Sequence, residues 1–349
     1  MNLRERLVGR IRREGPIDVA DYMGACLHDP AEGYYAARPR LGPEGDFITA
    51  PHVSQIFGEL LGLWAVQVWR DLGSPGQVRL VELGPGDATL MEDVLRASRA
   101  DRGFEAARDI WLVETSAPLR AAQQARLGVG SARWAATLDE IPLDAPVIIL
   151  ANEFLDCLPI RQAVFAPEGW RERMVGLDTS GTLAFHLGDE PPRAFPHGGP
   201  GEVREWSDAL GDMGRRVAEI LLRTRGAALF IDYGRDEPGP GDTLQALRGH
   251  AKEGPLLHPG GADLTAHVDF PEFLAAAQAC GACVSAISSL GDFLWSMGIG
   301  LRAERLSARR PETAALIARQ VERLIAPDQM GAVFKVAAIT SPGLGRPGL

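Results

Sequence analysis

Val81-Glu82-Leu83-Gly84-Pro85-Gly86-Asp87-Ala88-Thr89 lies between an apolar run, Val78 to Leu83, and a helical pattern, Leu90 to Ala97. That context reads as a strand, a tight turn and a helix N-terminus. Two glycines two residues apart let backbone lie against a ligand with no Cβ in the way. Glu82, two residues before the first glycine, separates this loop from one that binds dinucleotides. A carboxylate there repels a pyrophosphate and suits a cationic nucleoside such as S-adenosyl-L-methionine, which carries a sulfonium and an ammonium and no phosphate. Thr89 also occupies the place of the third glycine in G-x-G-x-x-G. The plainer alternative is a strand-to-helix turn with incidental glycines.

A second acid supports a ligand. Asp109-Ile110-Trp111-Leu112-Val113-Glu114 is another buried-strand pattern ending in a carboxylate. Ligands of parallel α/β sheets bind at the carboxyl ends of the strands, where the two oxygens of Glu114 suit two ribose hydroxyls. The spacing, 114 − 82 = 32 residues, exceeds the roughly 20 of the dinucleotide fold, and the excess falls in a helix end or loop over 98–108. The alternative role for Glu114 is a solvated acid capping the helix expected over 118–126.

The chain has 349 residues, 46% of them hydrophobic and 23% charged, which is ordinary for a globular protein. No apolar run approaches the roughly 20 residues that span a bilayer. The first 14 residues form a mixed-charge amphipathic pattern without an apolar signal core, so the expectation is a cytoplasmic protein. A formal net charge of −10 argues against a nucleic-acid binder and suits a basic protein as substrate. Cys280 and Cys283 close a helix rather than open one, and Cys26 and Cys157 are isolated. Neither a redox motif nor a metal site is expected from them.

Strands are expected at Val78–Leu83, Ile110–Glu114, Ala132–Ala135, Val147–Ala151, Ala227–Asp232, Val284–Ser288 and Ala332–Ala338. Helical patterns intervene at Thr89–Ala97, Pro118–Arg126, Asp208–Thr224 and Phe270–Cys280. This alternation predicts an α/β protein with a doubly wound, mostly parallel sheet of seven strands. Residues 1–72 form an N-terminal helical extension and lid, with helices at Leu3–Arg13, Val19–Cys26 and Val53–Leu72. The last of these is apolar on most faces, for a core or for a homodimer interface. Residues 73–340 form the main domain, with inserted β-hairpins over about 160–205 and a loop over about 235–265. Such insertions overhang the ligand site.

After the fourth strand comes Asn152-Glu153-Phe154-Leu155-Asp156. Methyl transfer needs nucleophile, methyl carbon and leaving sulfur in line, with water excluded. For a guanidinium acceptor, Glu153 and Asp156 can orient the planar fork. The competing reading is a helix N-terminus with Asn152 as cap. Polar clusters expected near the site include Asp46, Phe47 and Thr49, then Asp232-Tyr233 and the stretch Asp263 to Asp269 with His267. Asp269 reads as an N-cap, and His267 more simply as a structural histidine.

Taken together these stretches resemble the MidA family, relatives of the mitochondrial complex I assembly protein arginine methyltransferase. The matching segments run from Gly15-Pro16-Ile17 through His28-Asp29-Pro30, Gly45-Asp46-Phe47-Ile48-Thr49-Ala50-Pro51 and Ser54-Gln55-Ile56-Phe57-Gly58-Glu59. They continue through the Glu82 loop, Ala151 to Asp156, Gly241 to Ala246, Ala262 to Asp269 and Gly291-Asp292-Phe293-Leu294. The resemblance implies a seven-stranded, Rossmann-like class I methyltransferase dependent on S-adenosyl-L-methionine. Glu82, Gly84, Pro85, Gly86, Glu114 and Asn152 would hold the cofactor, and Glu153 and Asp156 would serve catalysis. Asp46, Phe47, Thr49, Gln55 and His267 would contact substrate or form the lid. The implied acceptor is an arginine on a protein such as a respiratory-chain subunit, and the family's eukaryotic members are mitochondrial. One departure is Ala88, where similar chains carry glycine; a negative φ would make it tolerable, and a positive φ would work against the cofactor. The alternative is a non-catalytic assembly or binding factor on a methyltransferase fold. A nicotinamide-dependent oxidoreductase is disfavoured by Glu82 and Thr89.

Overall fold

The computed structural model describes residues 1–37 and 49–349. Runs rich in Val, Ile and Leu pair into a mixed sheet whose main strands, in chain order, are β1 (Val78–Leu83), β2 (Arg108–Val113), β3 (Arg133–Ala135), β4 (Val147–Asn152), β5 (Gly226–Arg235), β6 (Cys283–Val284) and β7 (Phe334–Thr340). Their order across the sheet is β6-β7-β5-β4-β1-β2-β3. Strands β1 to β5 are parallel, and β7 runs antiparallel to both β5 and β6.

Two short pieces, Val268–Asp269 beside β5 and Ser288–Ser289 beside β7, bring the sheet to nine strands rather than seven. The single strand expected over 284–288 is broken. Val284 pairs with Ile339 and Ser288 with Val336, so one strand has an extra residue. Ser285 causes the break, because its hydroxyl accepts the Ala338 N–H at 2.9 Å. The result is a bulge that interrupts the ladder.

Helices cover both faces. On one lie Gln55–Asp71, Thr89–Ser98, Leu290–Ser296 and Ala314–Ile325, and on the other Asp208–Thr224 and Phe270–Ala279. The helix expected from Val53 starts at Gln55 instead, because Ser54 is extended and its hydroxyl caps Ile56. Gly58 and Gly62 bring it against Thr89–Ser98: a Cβ at Gly58 would stand 2.5 Å from the Asp93 Cβ, and one at Gly62 2.7 Å from the Val94 carbonyl. Most of its apolar residues are buried inside the chain, and Leu63 is left 44% exposed. Helices Ile299–Arg309 and Ala314–Ile325 were not anticipated.

The first insertion supplies Arg161–Ala166, Gly169–Leu177, Leu183–Leu187 and Val203–Trp206 to a five-stranded sheet. Its fifth strand, Ile17–Asp18, comes from the N-terminal segment and pairs with Val175 and Met174. The second insertion, expected as a loop, forms a three-stranded sheet of Gln245–Arg248, Ala251–Glu253 and Asp263–Thr265. Leu3, Leu7, Tyr22, Met23, Val175, Ala246 and Leu264 share one apolar core, separate from the two cores flanking the main sheet. Residues 1–72 are therefore divided: the first helices join the insertions, and Gln55–Asp71 joins the main sheet.

Candidate active site

Sheet register brings the candidate site residues to one level. Leu83 pairs with Val113 on one side and Ala151 on the other, and Asn152 pairs with Ile231. Gly84, Glu114 and Glu153 therefore leave the sheet side by side at its carboxyl edge, level with Asp232 in β5, which runs on to Arg235. A cavity of about 480 Å³ opens there, lined by Glu82, Gly84, Pro85, Gly86, Glu114, Asn152, Glu153, Asp156 and Thr49 among others.

Glu82 is 2% exposed, and its Oε2 is buried without a hydrogen-bond partner. Burial, and then the charge of Asp87, push its carboxyl up to about 8. The loop beyond it has φ of 59° at Gly84, 53° at Gly86 and 65° at Ala88. A Cβ on Gly84 would lie 2.9 Å from the Phe154 ring, so glycine is needed there for space as well as conformation. Ala88 takes the positive φ that would work against the cofactor, not the negative φ that would make alanine tolerable: this buried residue is left-handed, held by its N–H to the Pro85 carbonyl at 2.7 Å. Asp87 takes the cap role, accepting from the Thr89 N–H and hydroxyl at 3.0 and 2.7 Å. Burial works to raise Asp87, but hydrogen bonds from His52 and Thr89 overcome it and hold its carboxyl far below the usual range.

Glu114 is not a solvated cap. It is 8% exposed, and Ser116 caps the helix Ala117–Leu127 instead. Glu114 Oε1 accepts from the Ser116 N–H at 2.7 Å, and Oε2 from Gln123 at 3.2 Å. Burial raises its carboxyl despite these bonds. Gln123 also donates to the Gly86 carbonyl at 2.8 Å and accepts from the Trp134 indole at 2.7 Å. The sequence reading missed Gln123. The signal was a glutamine on the apolar face of an amphipathic helix, where a polar side chain needs partners.

After β4 there is no helix, so Asn152 is not an N-cap. Residues 154–156 form a turn whose three N–H groups all point at Asp232 Oδ2, at 3.0, 2.8 and 3.2 Å. Asp232, 1% exposed and three residues before the end of β5, holds the turn that presents Glu153 and Asp156. Glu153 sits at φ 50°, and its Oε1 accepts from the Asn152 amide at 3.0 Å and the Ala50 N–H at 3.3 Å. The Asn152 Oδ1 is buried without a partner. Burial, then the charge of Asp156, push Glu153 up to about 7; burial pushes Asp156 up to about 6.

The remaining expected residues scatter. Thr49 lines the cavity and contacts His52 Nδ1 at 2.8 Å, while His52 Nε2 reaches Asp87 at 3.3 Å. His52, also overlooked in the sequence, thereby ties the segment before Gln55–Asp71 to the glycine loop. Gln55 is exposed and donates to Glu59 at 3.1 Å; it does not line the cavity. His267 is also exposed and off the cavity wall, its ring edge-on to Tyr233 at 5.7 Å. Asp269 caps Phe270–Ala279 through the Glu272 N–H at 3.0 Å. Asp46 and Phe47 lie outside the described residues.

A family model for S-adenosyl-L-methionine-dependent methyltransferases matches residues 60–288. The protein arginine methyltransferase NDUFAF7 of Mus musculus is 37% identical over 95% of this chain and 83% of its own length. Its Homo sapiens counterpart is 36% identical over 95% and 82%, and the Drosophila melanogaster homolog 34% over 97% and 84%; all three are mitochondrial proteins. Among solved structures, a Burkholderia thailandensis protein crystallised with S-adenosyl-homocysteine superposes with a TM-score of 0.86 at 29% identity, covering 99% of this chain and 93% of that one. The α/β fold is thus that of the methyltransferases. The cofactor fits the residues present on one observation above all: the buried, unpartnered Glu82 Oε2 supplies an acceptor for a cation beside a loop that leaves room for close approach. The chain belongs to the S-adenosyl-L-methionine-dependent methyltransferase family, and S-adenosyl-L-methionine is its cofactor.

Proposed function

We propose that this enzyme methylates an arginine side chain on a protein, as the names of its relatives describe for them. The observation that carries the reading is the pair Glu153 and Asp156, two half-buried to buried carboxylates on the cavity wall next to the glycine loop. Glu82, Gly84, Pro85, Gly86 and Asn152 hold the methionine part of the cofactor, and Glu114 the ribose. The seven strands along the main path support a Rossmann-like class I core, and residues 3–37 with the two insertions act as its cap.

Bound there, the cofactor supplies an electrophilic methyl group. Glu153 and Asp156 accept the guanidinium N–H groups, fix its plane and bias its lone pair toward one nitrogen. The nitrogen that gains a methyl group sheds a proton. Glu153, near 7 in its resting state, is matched to receive it. The cap and Phe154 exclude water. No helix among the described residues is long and apolar enough to cross a membrane. The reading extends to a cytoplasmic enzyme whose acceptor is a subunit of a respiratory-chain assembly.

The test is transfer of labelled methyl from S-adenosyl-L-methionine to proteins of the source cell, followed by acid hydrolysis. Label eluting as methylarginine is the expected result. Label in methyl-lysine or in a small molecule overturns the arginine reading, and absence of transfer with intact cofactor binding favours the non-catalytic assembly factor.

A further inference from the structure

Tyr233 is 8% exposed, and its hydroxyl is buried without a hydrogen-bond partner among the described residues. Such a group has given up water and gained nothing in exchange, a cost that phenylalanine at the same place would avoid. The ring is held from two sides. Tyr233 follows Asp232 on β5 and pairs with Phe334 on β7. It stands edge-on to the Phe334 ring at 5.6 Å and 77° and to the His267 ring at 5.7 Å and 73°. Gly234 then draws β5 against the second insertion: a Cβ there would lie 2.3 Å from the Val268 carbonyl oxygen. The position of the hydroxyl is therefore set by packing.

Its neighbour is Asp156. Burial, then the charges of Asp156 and Asp232, push the Tyr233 phenol well above its ordinary range, so it keeps its proton and remains a donor. Asp156 lines the cavity and Tyr233 does not, so the tyrosine meets the carboxylate from the protein side. The Ala266 N–H donates to the Asp156 carbonyl at 3.0 Å, which fixes the second insertion to the same turn. Two other hydroxyls in this region are engaged: Tyr35, also on the cavity wall, reaches Asp263 Oδ1 at 3.5 Å, and Thr265 accepts from Gln245 at 3.4 Å. A hydroxyl donating to an ionised carboxylate makes a bond about twice as strong as a neutral one, and that strength depends on alignment. A guanidinium that engages Asp156 from the cavity reorients its carboxylate. A bond completed only then favours turnover and adds nothing to the resting fold.

We propose that Tyr233 is a positioning residue: it holds Asp156 from the protein side once an acceptor guanidinium is bound, and so fixes the plane in which that acceptor meets the methyl group. The assignment rests on the arginine reading and extends it to a residue behind the cavity wall.

The experiment follows labelled methyl from S-adenosyl-L-methionine into methylarginine of source-cell proteins, for the full-length wild type, Tyr233→Phe and Thr265→Val. The KM for S-adenosyl-L-methionine and the melting temperature of each ligand-free chain are measured alongside. Tyr233→Phe is expected to lower the maximal rate about ten-fold, the loss of one charge-assisted bond. Its KM is unchanged, and its melting temperature is equal or higher because an unpartnered hydroxyl has left the interior. Thr265→Val keeps the wild-type rate. A Tyr233→Phe rate that falls together with the melting temperature, or with a raised KM, marks a purely structural contact and overturns the proposal. A Thr265→Val variant that loses as much as Tyr233→Phe makes Thr265 the partner and overturns it too. A wild type that forms methylarginine, with Tyr233→Phe equally fast, overturns this assignment alone. A wild type that forms none overturns the arginine reading, and the assignment with it.

Discussion

Gln123 and Gly86 are joined by one hydrogen bond of 2.8 Å, from the side-chain amide to the loop carbonyl. The same glutamine contacts Glu114 and Trp134, so it couples the glycine loop to the neighbouring acid. Replacing it by leucine leaves a buried carboxylate oxygen, a loop carbonyl and an indole N–H without this partner. We expect Gln123→Leu to lose about 1–3 kcal/mol of stability, with weaker S-adenosyl-homocysteine binding. Urea unfolding and calorimetry check both, and an unchanged affinity would show that the coupling does not reach the ligand.

Glu82 gives a pH signature. Its folded pKa of about 8 lies above its ordinary 4.5. The ligand-free folded state therefore holds a proton that the unfolded state releases. Its contribution to stability is complete below about 4.5 and is lost as pH rises toward about 8. Glu82→Gln removes that slope. A cationic ligand reverses the preference, so binding at neutral pH releases a proton from Glu82. Calorimetry in buffers of different ionisation enthalpy measures the release, expected for the wild type and reduced in Glu82→Gln.

Ala88 is in the left-handed region at φ 65°, which costs about 1–2 kcal/mol for a residue with a Cβ. Glycine removes the strain but adds unfolded-state entropy of about 0.5–1 kcal/mol. Ala88→Gly should therefore raise the melting temperature slightly and leave cofactor affinity equal or better, while Ala88→Val lowers both. A melting temperature lowered by Ala88→Gly would mean that the strain is absent.

Asp232 holds three N–H groups with one oxygen. Asp232→Ala strands those donors and frees the turn carrying Glu153 and Asp156. The expected loss is about 3 kcal/mol or more, with kcat falling further than S-adenosyl-homocysteine affinity. Chemical denaturation and single-turnover methyl transfer separate the two effects.

The acids at the ends of β1 and β2, the glycine loop and the strand after which Glu153 and Asp156 follow were legible because each depends on local pattern. An apolar run followed by a turn places the next side chain at a strand end wherever the strand sits. Gln123, His52 and Tyr35 were not legible as site residues. Each acts on a partner far along the chain: Gln123 on Gly86, His52 on Asp87 and Tyr35 on Asp263. The break at Ser285 was hidden for the same reason, since a hydroxyl interrupts a ladder only once the opposite strand is in register.

By itself the sequence determined a βα series, a glycine loop with an acid before it and a family, because periodicity and short-range turn chemistry are properties of neighbouring residues. Tertiary structure alone decided that residues 3–28 share a core with two distant insertions, that Asp232 shapes the turn after β4, and that Gln55 and His267 stand away from the cavity. Those outcomes depend on which buried surfaces and unpaired polar groups meet across long loops, and no local rule ranks such meetings before the chain has packed.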